Sequence, residues 1–310
     1  MKDGNCWICG GGADEKAGNT VNFRTGNSDV DYHLVRCRGC GLVMIDPMPS
    51  DEQLRIFYGQ AFYPKLSGMT AWVADLLLDE RASFIQRRMI GQRVLEQGCG
   101  TGSFLQKLIR LGMDAYGIEP SKDWSLAVPA DVATRVRANL DEQGGFDDGF
   151  FDMVCLWQVL EHVESPGTLL KTLHRKLRDG GGLILEVPHY GCRESAWLKD
   201  AWFGLDAPGH LWHFDRITLS LALKKSGFEV VEVVDSLWQV PWIWPTFCQT
   251  NGQRYVRSIP WNKGVPKGMR FLSPLASACV VAQSLLDRCW PESLHVLRMF
   301  ALKRGDWAGI

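Results

Sequence analysis

At 310 residues and 46% apolar content, the chain can bury a large core, and one domain plus a small module is the expected organisation. Its formal net charge of −1 gives no global field towards nucleic acid or an anionic membrane. Met1 to Gly12 lacks a basic segment followed by an apolar stretch, so no signal peptide is expected. The longest apolar-rich run, Phe271 to Leu286, contains Pro274 and falls short of the roughly 20 residues that span a bilayer. A cytoplasmic location follows as the expectation, with the ten cysteines as thiols or metal ligands rather than disulfides.

Cys6-Trp7-Ile8-Cys9 and Cys37-Arg38-Gly39-Cys40 form two C-x-x-C knuckles, a spacing that lets Cys6, Cys9, Cys37 and Cys40 present four thiolates to one Zn2+. Residues 1–48 are thus read as a zinc-binding module. The stretch between the knuckles is polar and glycine-rich, so the metal is expected to supply much of the folding energy. Its basic residues, Lys2, Lys16, Arg24, Arg36 and Arg38, are matched by Asp3, Asp14, Glu15, Asp29, Asp31 and Asp46. A phosphate-binding face needs more positive charge, so a structural or substrate-lid role is expected and nucleic acid is disfavoured as a partner.

Residues 49–92 read as a linker and helical cap. Asp46-Pro47-Met48-Pro49-Ser50 is stiff, and Ser50-Asp51-Glu52 caps a helix running towards Tyr58. Phe57, Tyr58, Phe62 and Tyr63 either pack between modules or wall a substrate pocket. Thr70 to Ile90 has helical periodicity, with Trp72, Val73, Leu76, Leu77, Phe84 and Ile85 on one broad face.

From Arg93 the strand–helix alternation predicts right-handed crossovers and a parallel sheet, in a domain spanning 93–310. The first strand ends in Glu96 and crosses Gly98, Cys99, Gly100 and Gly102 before a helix from Ser103 to Leu111. Glycines suit a turn that needs positive φ and lets a ligand approach the backbone. A dinucleotide turn reads G-x-G-x-x-G, but Ser103 occupies the third glycine position here. The second strand, Ala115 to Glu119, ends in an acid that can accept both hydroxyls of a ribose, or cap the helix at Pro120-Ser121. A short third strand, Thr134 to Ala138, leads into Asn139-Leu140-Asp141, and a fourth runs from Phe150 to Trp157. Helix Pro166 to Leu177 is expected to stop at the turn Asp179-Gly180-Gly181-Gly182, before strand Leu183 to Val187. His189 and then His210 and His213 follow in the next loops, where ligands of open parallel sheets are expected. Helix Arg216 to Ser226 and strand Phe228 to Val234 return to the sheet. Residues 236–291, with Trp238, Trp242, Trp244 and Trp261, read as an insertion before a last strand near Leu294 to Lys303. That insertion packs against the sheet, covers an apolar acceptor, or rests on a membrane surface peripherally.

Glu96 to Gly102 resembles the E/D-x-G-x-G-x-G signature of class I S-adenosylmethionine-dependent methyltransferases. The run F-D-x-V-x-x-x-x-V-L-E-H-V, from Phe151 to Val163, resembles another segment of that superfamily, one that lines the methionine and methyl end of the cofactor. The resemblance implies an α/β, Rossmann-like doubly wound, mostly parallel seven-stranded sheet, here with a small zinc-ribbon-like N-terminal module. It implies that S-adenosyl-L-methionine is held by Glu96 at the ammonium, the turn Gly98-Cys99-Gly100 with Gly102, Glu119 and Pro120 at the ribose, Asn139 and Leu140 near the adenine, and Trp157, Gln158 and His162. His210-Leu211-Trp212-His213-Phe214 is similar to the H-L-x-Y-F segment of zinc-containing sugar C-methyltransferases, which puts His210 on that family's general base and His213 on its tyrosine. That family's paired histidine and acid are Pro208 and Gly209 here, which favours oxygen over carbon as the methylated atom. Histidine suits the role because its ordinary pKa of about 6.5 leaves it able to take a proton near neutrality. His210 leads, with His189, His162 and His213 as further candidates. The expected acceptor is a small molecule such as a sugar, glycan precursor or secondary metabolite, free or lipid- or carrier-linked. A nicotinamide oxidoreductase and a zinc-ribbon nucleic-acid protein stand as alternatives.

Overall fold

The computed structural model describes residues 5–20, 30–58, 69–89, 91–121, 128–140, 145–236 and 296–304. Phe62, Tyr63, Asp141 and the tryptophan-rich insertion lie outside the described residues, apart from the insertion's first residue. In chain order the strands are β1 (Ala13–Asn19), β2 (His33–Cys37), β3 (Val43–Asp46), β4 (Arg93–Gln97), β5 (Asp114–Ile118), β6 (Val136–Arg137), β7 (Phe151–Trp157), β8 (Leu177–Pro188), β9 (Trp212–His213), β10 (Phe228–Ser236) and β11 (Val296–Lys303). The main helices are α1 (Asp51–Phe57), α2 (Met69–Gln86), α3 (Ser103–Arg110), α4 (Pro166–Lys176), α5 (Arg193–Leu198) and α6 (Arg216–Lys225).

Two compact units result. One draws on the described parts of 1–71, 188–218 and 235–297, and the other on those of 72–187, 219–234 and 298–310.

In the larger fold a seven-stranded sheet runs in the order β10-β11-β8-β7-β4-β5-β6, with β4, β5, β6, β7 and β8 paired in parallel. This is the expected doubly wound architecture. Apolar residues of β4, β5, β7 and β8, buried on both faces, meet Phe84 and Ile85 of α2 and Phe104, Leu105 and Leu108 of α3 in one core. The glycine run Gly180-Gly181-Gly182 departs from expectation. Helix α4 ends at Lys176, and β8 starts at Leu177 and carries the glycines within the strand. Phe151 pairs with Leu177 while Met153 pairs with Gly182, so the strand bulges between them. A Cβ at Gly181 would lie 2.8 Å from the Arg178 carbonyl, and one at Gly182 2.8 Å from the Phe300 ring. Glycine is therefore needed for close approach rather than for ending a helix. The third strand shortens to Val136–Arg137.

The other unit holds an antiparallel four-stranded sheet in the order β1-β2-β3-β9. Its last strand is Trp212–His213, so the histidine loop supplies an edge to the N-terminal sheet through Val43↔His213 and Met44↔Trp212. Leu34 and Val43 pack with Cys192, Trp202 and Leu205 from the 188–218 segment. Residues 1–48 thus share an apolar core with distant sequence, which the composition of the knuckle region alone does not show. Ser50 caps α1 through a reciprocal box: Gln53 N–H donates to Ser50 Oγ at 3.3 Å and Ser50 N–H to Gln53 Oε1 at 2.8 Å.

Asp152, the acid of the F-D-x-V run, works at the opposite end of the sheet from the glycine turn. Its Oδ2 accepts the N–H groups of Gln92 and Arg93, both at 2.9 Å, and Oδ1 takes Arg178 Nε at 2.5 Å. Gly91 (φ +114°) makes room, since a Cβ there would lie 2.2 Å from Asp152 Cγ. Burial alone would raise the Asp152 carboxyl, but the Arg93 N–H, Arg178 and the Gln92 N–H outweigh it and hold it below the usual range. A lowered pKa contributes stability above the unfolded value near 4 that is lost as pH falls through the native value. Asp152→Asn is expected to lower unfolding stability by about 1–3 kcal/mol at pH 7. In denaturant titrations the gap to the wild type should close as the medium is acidified below pH 4.

Candidate active site and metal centre

Strand β4 delivers Glu96 and Gln97 to its C-terminal end, and the chain then turns through Gly98, Gly100 and Gly102 at φ +75°, +51° and +73°. Only glycine adopts three such values in one turn without strain. A Cβ at Gly98 would lie 2.6 Å from Val159 Cγ2, whereas one at Gly100 would meet nothing within 4 Å. The turn is thus packed from below and open at its middle glycine. Gly98 and Cys99 N–H both donate to the Ile118 carbonyl, at 2.8 and 3.0 Å, which ties the turn to β5. Half-buried Glu119 accepts Gly100 N–H on Oε2 at 2.8 Å and Ser121 N–H on Oε1 at 3.0 Å. Each of its oxygens keeps a second lone pair, the number two ribose hydroxyls require. Pro120 and Asn139 are exposed and Leu140 and Cys99 buried at the ends of β5 and β6 and in the turn.

The neighbouring strand ends carry buried polar atoms with no hydrogen-bond partner among the described residues: Glu96 Oε2, Gln97 Oε1, Trp157 Nε1 and both carboxyl oxygens of Glu161. Burial pushes Glu96 up to about 8, with Arg81 and the Leu105 N–H pulling down and Glu119 pushing up. Burial likewise pushes Glu161 up to about 8. Orphaned buried polar atoms are rare in folded proteins, and a set of them at the end of a parallel sheet, beside an open glycine, fits a polar ligand. Gln158, just beyond β7, has φ +58°, a costly value for a residue with a side chain, and its N–H donates to the Glu186 carbonyl at 3.0 Å. Glu161 and His162 follow in a 3₁₀ turn, Leu160–His162, with His162 Nε2 3.9 Å from Glu161 Oε1.

Below these strand ends lies a charge network absent from the sequence expectations. Arg298 of β11, 1% exposed, donates from Nε to Glu186 Oε1 of β8 at 2.7 Å and from Nη1 and Nη2 to Glu80 of α2 at 2.7 and 2.6 Å. Arg81 of α2 donates from Nη2 to Glu186 Oε2 at 2.6 Å. Both guanidinium groups lie against the Trp157 ring, at 4.7 Å (Arg81) and 5.5 Å (Arg298) from its centroid. Burial would raise Glu186, yet Arg81 and Arg298 outweigh it and hold the carboxyl below its usual range. Glu186 and Arg298 each sit within an apolar run of their strand, 183–187 and 296–301, and each is a charge that such a buried position tolerates only with a partner.

The remaining candidate histidines belong to the other unit. His189 is buried just beyond β8, and His210 is buried with Nδ1 2.8 Å from the Gly204 carbonyl. His213, on β9, is buried, its Nε2 has no hydrogen-bond partner among the described residues, and its ring lies 5.7 Å from Tyr190. Burial, aided by His210, holds His213 down to about 3 against the Gly204 carbonyl, so it stays neutral. Gly209 is closed in by Phe57: a Cβ there would lie 2.2 Å from Phe57 Cε1, and Tyr58 donates to the Gly209 carbonyl at 3.2 Å. Phe57 and Tyr58 thus serve packing of the histidine loop.

In the same unit the four knuckle sulfurs converge within 4.8 Å of one another, with Cys6–Cys40 at 3.5 Å and Cys9–Cys37 at 3.4 Å. A tetrahedral Zn–S site with bonds of about 2.3 Å has sulfur–sulfur edges of about 3.8 Å, so the donor set fits zinc. A Cβ at Gly39 would lie 2.9 Å from Cys9 Sγ, and Gly11 N–H donates to that sulfur at 3.4 Å. The knuckle glycines therefore let the backbone approach the sulfurs.

Residues 69–233, just over half of the chain, match the family model described as a methyltransferase domain. The ubiquinone biosynthesis O-methyltransferase of Alkalilimnicola ehrlichii is 31% identical over 104 residues, covering 31% of this chain and 42% of that protein. Its counterpart from Pseudomonas aeruginosa (strain UCBPP-PA14) is 31% identical over 117 residues, covering 36% and 48%. The chain therefore spans about half the length of the curated relatives it matches. A solved structure of Haemonchus contortus phosphoethanolamine N-methyltransferase 2 in complex with S-adenosyl-L-methionine aligns at TM-score 0.51 and 17% identity, over 85% of this chain and 63% of that one, which shows a common fold. The chain belongs to the methyltransferase domain family, and its Rossmann-like unit is a class I S-adenosylmethionine-dependent methyltransferase domain.

Proposed function

We propose that the chain transfers a methyl group from S-adenosyl-L-methionine to an oxygen, and secondarily a carbon, of a small-molecule acceptor such as a sugar, glycan precursor or secondary metabolite. The observation that carries this reading is the open Gly100 turn flanked by Glu119 and by the unpartnered Glu96 Oε2. The bound cofactor supplies an electrophilic methyl group on a sulfonium. Glu96 receives the ammonium hydrogens, Glu119 the ribose hydroxyls, Pro120, Asn139 and Leu140 border the nucleoside, and Cys99, Trp157, Gln158 and His162 line the methionine end. The relatives named O-methyltransferases support oxygen as the methylated atom. A loop histidine is the base that accepts the hydroxyl proton. His210 is first in line and His213, held neutral and weakly basic, is last. The four knuckle cysteines hold Zn2+ in a structural role, fixing the two turns that flank β1 and β2.

Calorimetric titration should show binding of S-adenosylmethionine and none of NAD, and binding of NAD alone would sink the proposal. Glu96→Gln is expected to weaken cofactor binding about 10- to 100-fold, the effect of losing a charge-assisted hydrogen bond. For His210→Ala, cofactor affinity should hold within about twofold while turnover falls by about 10²- to 10⁴-fold; unchanged turnover moves the base to His189 or His162. Metal analysis should give one zinc per chain, lost in Cys37→Ser, and chelation should lower the melting temperature.

A further inference from the structure

Four glutamates and two arginines share the interior of the methyltransferase domain: Glu80 and Arg81 on α2, Glu96 at the end of β4, Glu161 in the 3₁₀ turn, Glu186 on β8 and Arg298 on β11. The cations are not shared evenly. Among the described residues, the guanidinium hydrogen bonds of Arg81 and Arg298 go to Glu80 and Glu186. Glu96, 4% exposed, and Glu161, 0% exposed, are left with three oxygens that accept no hydrogen bond among the described residues. Within this unit Glu96 faces Arg81, Glu119 and the thiols of Cys99 and Cys155. Glu161 faces Arg81, Glu186 and its neighbour His162. Arg81 acts on both acids from a distance while its own hydrogen bonds go to Glu186. Once ionised, the two acids would have no guanidinium hydrogen bond of their own, and His162, 3.9 Å from Glu161, is the one nearby titratable base within this unit among the described residues.

S-adenosylmethionine carries two cationic centres, an ammonium and a sulfonium, and the demethylated product, S-adenosylhomocysteine, keeps only the ammonium. We infer that Glu96 and Glu161 form a charge-counting pair, Glu96 answering the ammonium and Glu161 the sulfonium, so that Glu161 sets the preference for cofactor over spent product. The inference rests on the cofactor reading above and adds a residue and a selectivity to it. Burial keeps both acids protonated when no cation is present, so a cationic ligand must expel their protons to be matched. The cofactor should expel about two protons near pH 7 and the product about one. Below pH 8 the affinity ratio of cofactor to product should then rise by up to about tenfold per pH unit.

Titration calorimetry of the full chain with each ligand, in buffers of differing ionisation enthalpy, reads these numbers directly. The expected result is one more proton released by S-adenosylmethionine than by S-adenosylhomocysteine in the wild type, and equal release in Glu161→Gln with a pH-independent affinity ratio. Glu96→Gln should instead lower the release by about one for both ligands alike. Equal proton release by the two ligands in the wild type, or an undiminished difference in Glu161→Gln, overturns the inference while leaving the cofactor reading intact. Failure of both ligands to bind the wild type overturns the reading itself. Glu161→Gln removes a buried ionisable group without changing shape, and a folded Glu161→Gln protein is verified by its binding of the product.

Discussion

Arg298 has almost no contact with water, and its charge is tolerated only because Glu186 and Glu80 meet it on two sides. Taking an ion of this size out of water costs several kcal/mol even after relaxation, and an unmatched one would be expelled or neutralised. The pairing joins the last strand, a central strand and a helix that precedes the first strand of the sheet. Arg81 adds a second tie from that helix to Glu186, and the Trp157 ring fills the space against both guanidinium groups. Helix α2, read from sequence as a cap, is thereby an integral part of the domain, in keeping with a family match that begins at residue 69.

The same network decides what remains for a ligand. Because Glu186 and Glu80 absorb the arginines, the acids nearest the glycine turn stay uncompensated, and the turn itself is kept open by three glycines in left-handed conformations. Selection at this site is electrostatic before it is steric. A phosphate-bearing ligand would bring negative charge beside Glu119 and offer no cation to Glu96 and Glu161, which disfavours a dinucleotide for a reason independent of Ser103. Glu119 differs from the other two because backbone N–H groups hold both its oxygens, fixing its orientation from the turn it serves.

The mostly parallel sheet and the turn were legible because hydrophobic runs, glycine spacing and strand-end acids are local signals. Glu96, Gly98, Gly100, Gly102 and Glu119 all lie where that logic put them, on one sheet edge. What was not legible depended on distant pairing. Glu186 and Arg298 each look like an isolated charge in a strand until the fold brings them within hydrogen-bond reach across 112 positions of sequence. The glycine run at 180–182 satisfies the pattern of a helix stop equally well, and only the packing of Phe300 and Met153 shows that a strand needs it. Glu161 stood inside a recognised motif, but its lack of partners is a property of the folded interior.

Strand β9 gives the smaller sheet an unusual history. Its partner β3 leaves the ribosome about 170 residues earlier, which at ~5–20 residues per second amounts to roughly 10–30 s of waiting with an edge unpaired. Over that interval the knuckle region must be kept from pairing with other chains by something other than its final neighbour, because exposed strand edges recruit each other. The four cysteines that would clamp the two turns all lie within residues 6–40. The four cysteines would then matter most to the nascent chain, as a guard on an unfinished edge until residue 213 arrives.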